Sequence, residues 1–99
     1  MGARISLEQV KIADFCRRHH IRKLALFGSV LRDDFGPESD VDVLVEFEAG
    51  HVPGLAFFSI EAELSQLLGR KVELTTPGFL SRHIRERVLG EAEVQYAAA

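Results

Sequence analysis

The stretch 27-FGSVLRDDFGPESDVDVLVEF-47 decides the fold. Its second half alternates: Val41, Val43, Val45 and Phe47 fall on one face of a strand, and Asp42, Leu44 and Glu46 on the other. Its first residue closes the apolar run Leu24 to Phe27, which Gly28-Ser29 interrupts. That pattern reads as an interior strand stopped by glycine, with Gly28-Ser29 opening a short helix. Between the two strands, Val30 to Ser39 is polar, and Gly36-Pro37 marks a turn.

Working outward, Ser6 followed by Gln9 reads as a capping box that starts a helix. Leu7, Val10, Ala13 and Cys16 follow at helical spacing, with Ile12 and Phe15 widening the face, and the helix ends near His19 or His20. On the other side, Gly50 to Gly54 is a loop. Leu55 to Leu68 reads as a helix with Leu55, Phe58, Ala62 and Leu67 or Leu68 on one face, closed by Gly69. Lys71 to Thr75 is a third strand, ended by Pro77-Gly78. A helix from Phe79 or Leu80 to Leu89 follows, with Leu80, Ile84 and Val88 in register and Gly90 as its stop. The alternating tail Ala92 to Tyr96 adds an edge strand. Helices between strands predict an α/β (α+β) domain, a small sheet covered by helices on at least one face.

Composition narrows the classes. The chain has 99 residues, 46% of them hydrophobic, which predicts one domain over 1–99 with no linker or repeat. Twelve basic against fifteen acidic residues give a net charge of −3, which argues against nucleic acid as a direct partner. The single Cys16 excludes an internal disulfide and any multi-cysteine metal site. No apolar run reaches the roughly 18 residues of a membrane helix and no signal peptide opens the chain, so the expected setting is cytoplasmic.

The chemistry-bearing residues lie in and just beyond the deciding stretch. Gly28 permits a tight turn, and the amides after it, with the Ser29 hydroxyl, suit phosphate oxygens. A strand-ending Gly-Ser viewed alone is an ordinary turn. Asp40 and Asp42, two apart on a strand, project the same way and repel unless a cation lies between them. Carboxylate oxygens suit Mg²⁺, with phosphates completing its shell. Glu73, on the polar face of the third strand, supplies a third carboxylate if that strand neighbours the Asp42 strand. Three such groups can hold two metal ions. Arg32, one helical turn from Ser29, is placed to reach a phosphate. The four histidines, His19, His20, His51 and His83, show no mutual ligand spacing and read as surface or cap residues. The cluster Leu55, Phe57, Phe58 and Ile60 spreads over more than one helix face, as core or as partner contact.

Phe27-Gly28-Ser29, ten residues, then Asp40-Val41-Asp42-Val43 resembles the signature of the polymerase-beta-like nucleotidyltransferase superfamily. The longer GSVLRDDFGPESDVDVLVEF is similar to the minimal nucleotidyltransferases, short proteins often paired with an all-helical HEPN toxin. The resemblance spans nearly the whole chain. It implies a small mixed sheet packed against helices, Gly28 and Ser29 on the β- and γ-phosphates of ATP, and Asp40 and Asp42 on Mg²⁺. Glu73 matches the third acid, where the family usually carries Asp. It also implies transfer of AMP from ATP to a tyrosine of a HEPN-type toxin partner. Two rival readings accompany it: an antitoxin acting by binding alone, and nucleotidyl transfer to a small molecule or an RNA end. A chain this short has no evident acceptor-binding domain, so a partner protein or a homodimer is expected to supply one.

Overall fold

The structure, a computed structural model, describes residues 8–31, 36 and 39–98, with the backbone alone for Ser29. In chain order it contains α1 (Gln9–Arg18), β1 (Ile21–Phe27), a 3-10 turn (Gly28–Leu31), β2 (Val41–Phe47), α2 (Ala56–Leu68), β3 (Val72–Thr75), a second 3-10 turn (Pro77–Phe79), α3 (Arg82–Glu91) and β4 (Glu93–Ala97). The strands form one sheet in the order β3-β2-β1-β4. β1 runs antiparallel to both β2 and β4, and β2 runs parallel to β3. Parallel neighbours need a crossover, which α2 provides. The fold is therefore α+β, a small mixed sheet packed against helices.

Alternation in β2 places Val41, Val43 and Val45 in the main core, with Leu24 and Leu26 of β1 and Val72 and Leu74 of β3. Ile12, Phe15 and Cys16 of α1 and Ile60 and Leu64 of α2 close over that face. Ala25 and Leu44 are buried on the opposite face, and Val88 is the buried residue of α3. Asp42 and Glu46 flank Leu44 there and stay half-buried.

α2 also completes the sheet edge. The outward amides of β3 donate to its side chains, Val72 N to Ser65 Oγ at 3.0 Å and Leu74 N to Glu61 Oε2 at 2.8 Å. A helix thus covers an edge that would otherwise present unpaired backbone groups.

Several expectations shift. In α1 the buried residues are Ile12, Phe15 and Cys16, while Val10 points to solvent. The core stripe is i, i+3, i+4 from Ile12, so the residues expected only to widen the face form its centre. In α2 the core face is Ile60 and Leu64, whereas Leu55 and Phe58 are exposed. Apolar residues at nearly every position from 55 to 60 leave the periodicity without a phase. β1 starts at Ile21 rather than Leu24. Pro77–Phe79 forms its own turn, so α3 begins at Arg82, and it runs through Gly90 to Glu91. The expected capping serine, Ser6, lies outside the described residues. The edge strand expected in the tail forms as β4 against β1.

Candidate active site

Sheet register brings the acids together. Asp42 of β2 stands directly beside Glu73 of β3, and Phe27 at the end of β1 pairs with Asp42 on the other side. Asp40 lies just before β2 on the same side as Asp42. Its Oδ2 is 4.0 Å from Lys71 Nζ. Partial desolvation first, then the charge of Asp42, then a hydrogen bond and charge from Asp40, push the Glu73 carboxyl above the usual glutamate range; Lys71 pulls it back. The shift arises although Glu73 remains exposed to water. The neighbouring acids thus disfavour the charged form of Glu73.

Backbone devices hold this arrangement. Arg70 donates from Nη2 to the Ser39 carbonyl at 3.0 Å and to the Gly36 carbonyl. The Gly36 amide donates to Ser39 Oγ at 3.0 Å, and the Val41 amide to the Lys71 carbonyl at 2.9 Å. The segment entering Asp40 is thereby tied to the start of β3. Arg70 is a positioning residue that sequence reasoning missed; an arginine after a helix-ending glycine carries no local signal for a contact 31 residues away.

Gly28 sits at φ +76°, and a Cβ there would collide with Asp42 Oδ2 and stand 3.1 Å from its Cγ. Glycine is required twice, for the left-handed backbone and for the space. Val30, two residues on, is fully buried and anchors the turn. The structure thus places Gly28, Asp40, Asp42 and Glu73 in one locality. Ser29 is placed beside them through its backbone, and Arg32 lies outside the described residues.

The carboxylate trio fits a divalent cation on donor chemistry: hard oxygen ligands whose mutual repulsion a cation relieves. A separate His/Glu group also has metal-ligand character. His20, Glu48 and His51 bring their ligand atoms within 4.8 Å of one another. The expectation that the histidines share no ligand geometry therefore fails for His20 and His51, which are 31 positions apart in sequence and are joined by the β1–β2 pairing.

A cleft of about 380 Å³ opens at the far end of β2, lined by Val45, Phe47, Phe57, Val52, Pro53 and Phe79 among others. None of the three acids lines it. Among the described residues, no helix is long and apolar enough to cross a membrane.

The small mixed sheet packed against helices is a nucleotidyltransferase-type core, and comparison with known proteins agrees. The profile of the nucleotidyltransferase domain family matches residues 10–94. The protein adenylyltransferase MntA of Thermococcus cleftensis is 39% identical over 75 residues, 75% of this chain and 74% of that protein. A relative from Methanocaldococcus jannaschii is 32% identical over 82 residues, 83% of this chain and 87% of its own. A solved structure assigned as a minimal nucleotidyltransferase superimposes with a TM-score of 0.71 at 34% identity, covering 85% of each chain. A toxin-antitoxin complex with AMP-PNP shares the fold, with a TM-score of 0.75 at 21% identity over 93% of this chain and 75% of that one. The chain belongs to the nucleotidyltransferase domain family and is an enzyme of that class.

Proposed function

We propose that the chain transfers AMP from ATP to a hydroxyl of a partner protein, a tyrosine of an all-helical HEPN-type toxin, and so acts as an antitoxin. The observation that carries this reading is the convergence of Asp40, Asp42 and Glu73 beside the tight turn at Gly28. Named adenylyltransferases among its relatives, and toxin-antitoxin complexes that share the fold, support the acceptor class.

Asp40, Asp42 and Glu73 would hold Mg²⁺, which supplies charge neutralisation on the triphosphate and a lowered pKa for the attacking hydroxyl. The turn from Gly28 offers the backbone amides of Ser29 and Val30 to the β- and γ-phosphates. The attacking oxygen forms a bond to the α-phosphorus as the bond to pyrophosphate breaks, and the hydroxyl proton passes to a carboxylate or water. Glu reaches one methylene further than the family's usual Asp, and its side chain starts one strand over from Asp42.

The test is incubation with α-labelled ATP, Mg²⁺ and an all-helical HEPN-type protein as acceptor. Transfer of one or more AMP groups to tyrosine, absent from an Asp40→Asn, Asp42→Asn double variant, supports the proposal. A partner that is silenced equally by that double variant overturns it in favour of inhibition by binding. Exposed apolar residues around the cleft favour that second reading as a contribution to partner capture. Label appearing in RNA or a small molecule, with none in protein, overturns the acceptor assignment alone.

A further inference from the structure

We propose that His20, Glu48 and His51 form a binding site for a borderline transition-metal dication such as Zn²⁺, distinct from the carboxylate site. His20 precedes β1 and Glu48 follows β2, whereas Gly28 and Asp42 lie towards the other ends of the same strands. Strands of this length separate the two sites by about 20 Å.

Local structure builds the group. The Glu48 amide donates to the His20 carbonyl at 2.8 Å, extending the β1–β2 pairing by one step. The His51 amide donates to the Glu48 carbonyl at 3.0 Å, closing a turn whose third residue, Gly50, has φ +81°. That turn requires positive φ there, which glycine adopts freely. It folds His51 back onto His20, and their rings stack with centroids 3.9 Å apart and planes 14° from parallel. His20 itself has φ +57°, the one non-glycine residue with positive φ among those described. This is the left-handed position that usually follows a helix, and glycine normally fills it.

His20 Nδ1 is 3.8 Å from Glu48 Oε1, and all three ligand atoms lie within 4.8 Å of one another. Donors bound to one ion at about 2.1 Å stand roughly 3 to 3.5 Å apart, so the spacing is close to that of a site, and the two rings turn out of their stack to aim both nitrogens at one ion. Two imidazoles and one carboxylate, all reached by water, leave positions for solvent ligands. Nitrogen donors favour Zn²⁺, Co²⁺ or Ni²⁺ over Mg²⁺, so donor chemistry separates this site from the carboxylate trio. An ion here joins the end of α1, the end of β2 and the loop that continues through Val52 and Pro53 into the cleft wall. Binding therefore pins the wall of the apolar cleft.

The experiment uses the full chain with Asp40→Asn and Asp42→Asn, which disables the carboxylate site as a competing ligand. Zn²⁺ is titrated calorimetrically, and Co²⁺ by its visible absorbance and by paramagnetic shifts of histidine ring resonances. The expected result is saturable one-to-one binding, with His20 and His51 resonances shifted and excess Mg²⁺ without effect. Adding His51→Ala or Glu48→Gln weakens binding by about tenfold or more while the circular dichroism spectrum stays unchanged. Absence of saturable binding, or binding that both substitutions leave intact, overturns the proposal. Because the carboxylates are disabled throughout, neither outcome bears on nucleotidyl transfer.

Discussion

Gly28 shows how one residue can serve the chemistry more than the fold. An alanine there accepts a left-handed backbone at a cost of about 1 to 2 kcal/mol and drives its Cβ into the Asp42 carboxylate. Asp42 can swing aside, so the fold survives but the acid leaves its place. Gly28→Ala is therefore expected to abolish AMP transfer while lowering stability by only that amount, measured by denaturant unfolding beside the transfer assay. Retained transfer would show that Asp42 need not stand where the structure puts it. Cys16 is the opposite case, a residue of the core with no part in the site. Burial pushes its thiol up to about 12 from 9.0, with Arg17 opposing weakly. The unfolded chain ionises this thiol near pH 9 and the native chain does not. Its contribution is thus complete below about pH 9 and is lost as pH rises towards 12, by up to about 1.4 kcal/mol per pH unit. Cys16→Ala should flatten the alkaline fall in stability relative to the parent, and the native thiol should resist alkylation. The acids and Gly28 were legible in the sequence because period-two alternation and glycine punctuation are local signals. Arg70, His20 and His51 were not, because each finds its partners across strands whose pairing no local pattern states.

At the level of elements, two contacts lock α2 against its neighbours. Glu63 accepts from Arg18 Nη2 at 2.6 Å and meets His19 Nε2 at 3.0 Å, bridging α2 to α1. The hydrogen bond from Arg18, ahead of that from His19 and their charges, holds the Glu63 carboxyl below its usual range. Its contribution is complete above about pH 4.5 and is lost as pH falls through the lowered value. Glu63→Gln should therefore show a shallower acid-side loss of stability than the parent in pH-dependent thermal unfolding; matching curves would show that the bridge has no energetic weight. Glu61 matters more because its partner is backbone. Glu61→Ala leaves the Leu74 amide without its acceptor, for an expected loss of about 1 to 2 kcal/mol and faster hydrogen exchange at that amide. Order and type of elements were readable, since each strand and helix carries its own period. The phase of α2 was not. From Leu55 to Ile60 the apolar residues outnumber one face, and only packing selects Ile60 and Leu64 for the core.

The apolar residues that packing rejects define the molecule's outer character. Val52, Leu55, Phe58 and Phe79 are 82%, 88%, 65% and 71% exposed, and Val52 and Phe79 border the cleft. Half-buried Phe57 holds the aromatic group together, with its ring centroid 5.9 Å from Phe58, 5.6 Å from Phe79 and 6.5 Å from Phe47. Large apolar side chains grouped this way in water mark a surface suited to contact with another molecule. Their cost is offset if a partner covers them, and the cleft lies away from the acids, so a protein docked here would leave the acid trio open to an acceptor hydroxyl. Phe58→Asp with Phe79→Asp tests this at the scale of the complex. Neither residue belongs to the core, so unfolding in denaturant should shift by about 0.5 kcal/mol or less. Affinity for the helical partner, measured by calorimetry, should fall about tenfold or more, as expected when buried aromatic anchors are lost. AMP transfer should fall with it at limiting partner and recover at saturating partner, because the acids are untouched. Unchanged affinity would move the docking surface elsewhere; loss of transfer even at saturation would place the aromatic group in the reaction itself.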